Sequence, residues 1–201
     1  MDYIGGIASG FGYLLTFLGG ATGQKLISNY LQRQRDKELK VITKNLTDVS
    51  EILKMMRDIV DSTRIERFIV FKGSNGGGVP KPGSEFYVTA IYEEHKDKEK
   101  HVKEKYTKIS VDGHYIEMLT NIHKNGKCLL KVSEMPDCFL KRIYTAEDIA
   151  YSELYYLVNN KNEILFCSLV TSQPEINDSK AKLEIELTID KMRQIFKKYY
   201  V

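Results

Sequence analysis

A chain of 201 residues with 42% hydrophobic and 28% charged residues has enough apolar surface for one domain of ordinary size plus a small appendage, and it is not the composition of a disordered polymer. Three cysteines (Cys128, Cys138, Cys167) and four scattered histidines fit neither a disulfide framework nor a zinc knuckle, so no metal is expected and a reducing compartment suits the main body. The net charge of +3 is local: residues 24–44 hold Lys25, Arg33, Arg35, Lys37, Lys40 and Lys44 against Asp36 and Glu38, and the body, residues 45–201, is neutral and lacks the basic stripe that nucleic-acid binding needs.

Between Asp2 and Lys25 lies an uncharged run, YIGGIASGFGYLLTFLGGATGQ. As a helix it would extend about 33 Å, enough for a hydrocarbon core of about 30 Å. Its glycines would weaken a helix in water, but lipid leaves the backbone no other partner. The pairs Gly6 with Gly10 and Gly19 with Gly23 have the small-xxx-small spacing of close helix contacts. Positive charge follows the run and none precedes it, which predicts a single-pass membrane segment, residues 1–24, with the C-terminal domain in the cytoplasm. Asp2 stands where a secretory signal peptide would carry Lys or Arg. A segment lying on the membrane, or buried in a protein partner, is the alternative left open.

Residues 25–61 read as a basic juxtamembrane stretch running into a linking helix. Leu39, Ile42, Leu46, Val49, Leu53, Met56 and Val60 alternate spacings of three and four, the a/d seam of a coiled coil. Ile52 and Ile59 widen the stripe near its end. The first part, with Leu39, Ile42, Leu46 and Val49, is expected to pair with a second copy, and the last part to pack on its own domain; packing of the whole helix within one chain is the alternative.

The body, residues 62–201, opens with a strand over 64–73, followed by SNGGGVPKPG, where glycine and proline prohibit regular structure. A second strand covers 86–94, and the charged HKDKEKHVKEK is a solvated loop or helical turn. A helix is predicted from about Asp112 to Lys124, with Tyr115, Met118, Leu119 and Ile122 inward and Gly126 past its stop. A third strand spans 127–133, and a short helical turn is placed by the capping-box pair Thr145 and Asp148. ELYYLV and EILFCSLVT flank NNKN as an antiparallel hairpin, with Cys167 a buried thiol. For 181–200 two periods compete. Ala181, Ile185, Ile189, Met192, Phe196 and Tyr199 make one helical stripe that accounts for the whole stretch, leaving Leu183 and Leu187 outward. This order predicts an α+β fold with a central antiparallel sheet of five or six strands and helices on one face.

At this point the chain resembles a GAF domain over roughly residues 45–200. The strand and turn FIVFKGSNGG are similar to the GAF strand that ends in an Asn-Gly turn, and the closing hairpin and flanking helices agree. The resemblance implies a small-molecule cavity between the sheet and its loops, or a degenerate cavity used for dimerisation. It also implies limits. No cysteine stands where a bilin-binding member would use one, and the Asn-Lys-Phe-Asp-Glu signature of cyclic-nucleotide-binding members has no counterpart. Asn75, His114 and Tyr115 are the candidate polar lining; for His114 a surface or helix-cap role is the plain alternative.

GSNGGGVPKPG lacks GxxxxGK[ST] and opens no helix, so it reads as a turn rather than a phosphate loop. No catalytic triad can be justified from spacing, and no cofactor is expected. The reading that results is a non-catalytic, membrane-anchored sensor or assembly subunit, in one version a membrane-acting effector regulated by its GAF-like domain. Its partners would be membrane lipid, a second copy and an unidentified small molecule, with no nucleic acid. The alternative is a soluble structural component of a larger complex with a buried N-terminal segment; an enzyme ranks third.

Overall fold

The computed structural model of the protein describes residues 21–75, 85–97, 100–160, 163–173 and 178–200. Helix α1 runs from Ala21 to Ser62. Chain contacts separate a first unit, ending at Val49, from a compact unit, Ser50–Val201. In the described part of the first unit, α1 is a helix with Leu39, Ile42 and Leu46 more than half exposed, and Val49 is partly buried. Among the described residues no helix is long and apolar enough to cross a membrane. Gly6, Gly10 and Gly19 lie outside the described residues, and Gly23 falls within α1.

The compact unit starts with the last three turns of α1. Here the a/d series changes role: Met56 and Val60 are buried, together with Ile52 and Ile59, which widen the stripe, and Leu53 is partly buried. Next come β1 (Arg67–Ser74), β2 (Tyr87–His95), a 3-10 turn (Lys103–Tyr106), and the two-residue β3 (Ile109–Ser110). Helix α2 (Gly113–Asn125) leads into β4 (Lys127–Lys131), and a second 3-10 turn, Val132–Glu134, precedes helix α3 (Phe139–Ala146). Strands β5 (Tyr151–Asn159) and β6 (Glu163–Thr171) form the closing hairpin, and α4 (Ser179–Tyr200) follows. All pairings are antiparallel, in the order β3-β2-β1-β6-β5-β4.

Helices cover both faces of this sheet, not one. Ile52, Met56 and Ile59 of α1 join Ile185, Ile189 and Met192 of α4 in a core against Phe68, Val70, Leu165, Cys167 and Leu169. The alternate residues Ile69, Phe71, Phe166 and Val170 meet α2 and α3 through Met118, Leu119, Ile122, Leu140 and Tyr144. The runs FIVF and ILFCSLV are apolar without alternation because the two central strands are buried on both faces.

One further element differs from the sequence reading. The helical turn expected to begin at Thr145 ends there instead: α3 spans Phe139–Ala146, and Asp148 adopts φ 55° in the turn that follows. The Thr145 hydroxyl therefore cannot act as an N-cap, and Pro136 and Asp137 supply the break before the helix. The charged loop after β2 is anchored from inside. Glu93 accepts hydrogen bonds from the N–H groups of Val102 and Lys103 at 3.0 and 2.7 Å, and Val102 and Tyr106 are buried.

Residues 181–189 are helical. In α4 the stripe from Ala181 to Phe196 faces the core, Leu183 and Leu187 are exposed, and Tyr199 is outside the core at 44% exposure. Asp178 Oδ1 accepts the Lys180 N–H at 2.9 Å, an N-terminal cap.

Gly73 marks the tightest approach in the sheet. A Cβ there would stand 2.5 Å from Phe86 Cζ and 2.9 Å from Ile164 Cγ2. Gly73→Ala is therefore expected to cost about 1–3 kcal/mol, the usual penalty for overpacking. Urea unfolding checks it through the midpoint at constant slope; an unchanged midpoint would mean that the Phe86 ring yields freely.

Candidate functional site

The layer between the sheet and α2/α3 is where the sequence resemblance implies a cavity. Large side chains occupy it. Phe71 and Phe166, opposite each other in the β1/β6 register, stack at 5.2 Å, and Tyr106 meets Phe71 edge-on at 5.7 Å. Such pairs contribute about 0.5–1.5 kcal/mol beyond the area they bury.

Among these rings lie two polar groups. The Tyr144 hydroxyl is 3.1 Å from Ser152 Oγ and 3.4 Å from Ser168 Oγ, and the two serine hydroxyls are 2.9 Å apart. Arg67 Nη2 donates to Glu147 Oε2 at 2.5 Å, and the Tyr106 hydroxyl donates to the same oxygen at 3.0 Å. Burial pushes the Tyr106, Tyr115 and Tyr144 phenols upward, so they stay neutral donors. Arg67 Nε is buried with no hydrogen-bond partner among the described residues.

At the border of this layer a hollow of about 240 Å³ opens between α2, β4 and α3. Helix α2 lines it with His114, Tyr115, Glu117, Met118 and Asn121; β4 contributes Cys128 and Leu130; Met135, Pro136, Cys138 and Leu140 close it. Thioethers, thiols and leucines make an apolar interior, and His114 and Glu117 stand exposed at the rim, 3.6 Å apart. Asn121 Nδ2 is 3.6 Å from Cys128 Sγ. Burial raises the Cys128 pKa, so the group is a thiol rather than a ready nucleophile. No group of three His, Cys, Asp or Glu side chains suited to a metal occurs among the described residues.

One carboxylate sets the shape of the hollow. Asp112 precedes α2, and its Oδ1 accepts the Tyr115 N–H at 2.9 Å. Its Oδ2 accepts the N–H of Phe139, the first residue of α3, at 3.1 Å. The side chain thus caps α2 and ties the start of α3 to it. Burial works to raise its pKa, but the N–H groups of Tyr115 and Phe139, with His114 nearby, hold it below the usual aspartate range.

The chain superposes on solved structures of very different sequence. A far-red cyanobacteriochrome photoreceptor superposes with a TM-score of 0.53 at 11% identity, covering 84% of this chain and 98% of its own. The GAF domain/HD domain protein from Geobacter sulfurreducens gives 0.52 at 12% identity, over 75% of this chain and 93% of that one. A GAF domain from Synechocystis, in its photoproduct state, gives 0.51 at 8% identity, over 73% and 90%. The fold is GAF-like. No family model matches the sequence, and no curated protein matches it.

Within the GAF-like body the three candidate residues separate. His114 and Tyr115 come together in the hollow. Asn75 directly follows β1 and is not among the lining residues, and the glycine loop beyond it, 76–84, lies outside the described residues. The sequence reading missed Asp112 as a clamp and Cys128, Met135 and Cys138 as lining. A signal for Asp112 existed in its position three residues before Tyr115, the N-cap spacing; for the others, facing is set only by the packing of β4 and α3 on α2.

Asp112→Ala is expected to lower stability by about 1–2 kcal/mol through the lost cap and to broaden the methyl resonances of Met118 and Met135. Because the folded-state pKa is depressed, this stabilisation is complete at neutral pH and is lost as pH falls below about 4 through the lowered value. Denaturation of both proteins as a function of pH checks this: their difference should shrink in acid, and a pH-independent difference would rule out the charged cap.

Proposed function

We propose that the protein is a non-catalytic, membrane-anchored sensor or assembly subunit, whose GAF-like body holds a small, largely apolar molecule in the α2/β4/α3 hollow. The carrying observation is the hollow itself: an apolar pocket with a polar rim, bounded by two helices that a single carboxylate clamps together, on a fold whose solved examples include photoreceptors and a GAF/HD protein. Such concave sites, with few polar groups, suit ligand binding better than group transfer. The central layer is filled by Phe71, Phe166 and the Tyr144–Ser152–Ser168 hydroxyls, which favours a small ligand at the border over a large one against the sheet.

The anchor rests on the sequence. The uncharged run before Lys25 is long enough to cross a bilayer, and the basic stretch after it suits anionic headgroups. Assembly is supported by the exposed Leu39, Ile42 and Leu46 on the seam of α1. Deleting residues 1–24 is expected to move a folded protein from the membrane to the soluble fraction; aggregation with loss of the sheet signal would count against an anchor. Leu46→Asp is expected to dissociate an oligomer and leave the body folded, and an unchanged mass by light scattering would rule out the seam.

The ligand reading is tested by methyl NMR of the full chain in detergent against a set of small aromatic and aliphatic fragments. Shifts are expected at the methyls of Met118, Leu130, Met135 and Leu140, and a bulky Met135→Trp substitution should abolish them. Responses confined to residues outside the hollow, or unaffected by Met135→Trp, would sink it.

A further inference from the structure

We propose that Arg193 is a positioning residue that couples the hollow on one face of the sheet to α4 on the other. This rests on the hollow being the ligand site. The wall of the hollow formed by α2 ends at Gly126, which holds φ 78° and donates its N–H to Ile122 O at 2.8 Å. Only glycine adopts this left-handed cap without strain, so the α2–β4 junction is a defined pivot. Asn121 and Cys128, on either side of that pivot, both line the hollow.

The carbonyl of Gly126 bonds to residues that do not line the hollow. It accepts the Tyr156 N–H at 3.0 Å and Arg193 Nη2 at 3.3 Å. Arg193 Nε donates to Tyr156 O at 2.9 Å, and Nη1 donates to Asp190 at 2.8 Å. Tyr156 lies at the register shift, or bulge, of β5 against β6, and its own N–H and C=O bond instead to Gly126 and Arg193. One planar guanidinium therefore holds the α2 cap, the β5 bulge and α4 together. Its rigid fork fixes their relative positions, as a single ammonium cannot. The His123 ring also meets Tyr156 edge-on at 5.1 Å, so the same α2 turn touches the bulge twice.

A molecule that wedges α2 away from β4 must rotate the peptide at Gly126, and its carbonyl cannot move without lengthening the Arg193 bond. The hollow thereby changes how firmly the end of α4 is held. That end carries Lys197 and Lys198 and the partly exposed Tyr199, and α4 packs in the same core as the last turns of α1.

Cys128 provides a handle for the test. It is half-buried in the hollow, whereas Cys138 and Cys167 are 6% and 0% exposed. In mildly alkaline solution the small thiolate fraction of Cys128 attacks methyl methanethiosulfonate, which releases methanesulfinate and leaves a methyl disulfide that occupies part of the hollow without any natural ligand. Amide hydrogen exchange is then read over residues 186–200 of the full chain in detergent, with Cys128→Ser as the control. The label is expected to raise exchange around Arg193 several-fold in the wild-type protein. In Arg193→Met the baseline rises but the label adds nothing, and in Arg193→Lys, which keeps the charge and reaches one carbonyl, the response is partial. A residue that only stabilised the fold would change the baseline and leave the increment intact. An equal increment in wild type and Arg193→Met, or none in wild type, overturns the coupling. The fragment experiment fails independently: coupling with no fragment bound rejects the ligand reading alone, and fragment binding with no label response rejects the coupling alone.

Discussion

Strands β1 and β6 have no solvent face. Phe68 and Val70, with Cys167 and Leu169, point toward α1 and α4, while Ile69 and Phe71, with Phe166 and Val170, point toward α2 and α3. Burying a side chain of this size is worth about 1.5–3 kcal/mol, so this strand pair pulls helices onto both faces. A one-residue slip would exchange the two sets of side chains. The Phe71–Phe166 stack and the close approach at Gly73 hold the register in place.

The polar groups inside the second core act on specificity more than on net stability. Arg67, which is buried, and Glu147, which is partly buried, form an ion pair, with Tyr106 on the same carboxylate oxygen. Taking both charges out of water costs much of what their attraction returns, yet removing one partner strands the other. The pair therefore penalises every arrangement in which the start of β1 and the end of α3 fail to meet. The Tyr144–Ser152–Ser168 hydroxyls do the same for α3 against β5 and β6.

With the centre of that layer filled by large side chains, the hollow lies where β4 and α3 meet α2 at an edge of the sheet. Asp112 controls one end of it through two helix N-termini, and Gly126 controls the other through one left-handed cap. Both control points use backbone hydrogen bonds, which move with the helices themselves. A ligand there would act on α2 and the α2–β4 junction before it acted on the core, because Ile122 and Leu154 beneath are almost wholly buried and dense packing resists local deformation.

The sequence by itself determined the elements whose pattern is local. The helical stripe from Ala181 to Phe196, the α2 stop at Gly126, the closing hairpin and the succession of strands and helices along the chain were all legible in spacing and turn residues. It also brought out His114 and Tyr115, which share the hollow. Tertiary structure alone decided three things. Helices cover both sheet faces, because continuous apolar runs such as ILFCSLV record burial without recording its direction. The apolar series of α1 divides near Val49, exposed before it and buried after it, although its spacing is uniform, since periodicity marks a face and not what covers it. And Cys128, Met135 and Cys138 come together with α2 only because β4 and α3 fold back on it, a long-range closure that leaves no trace in the spacing of the residues.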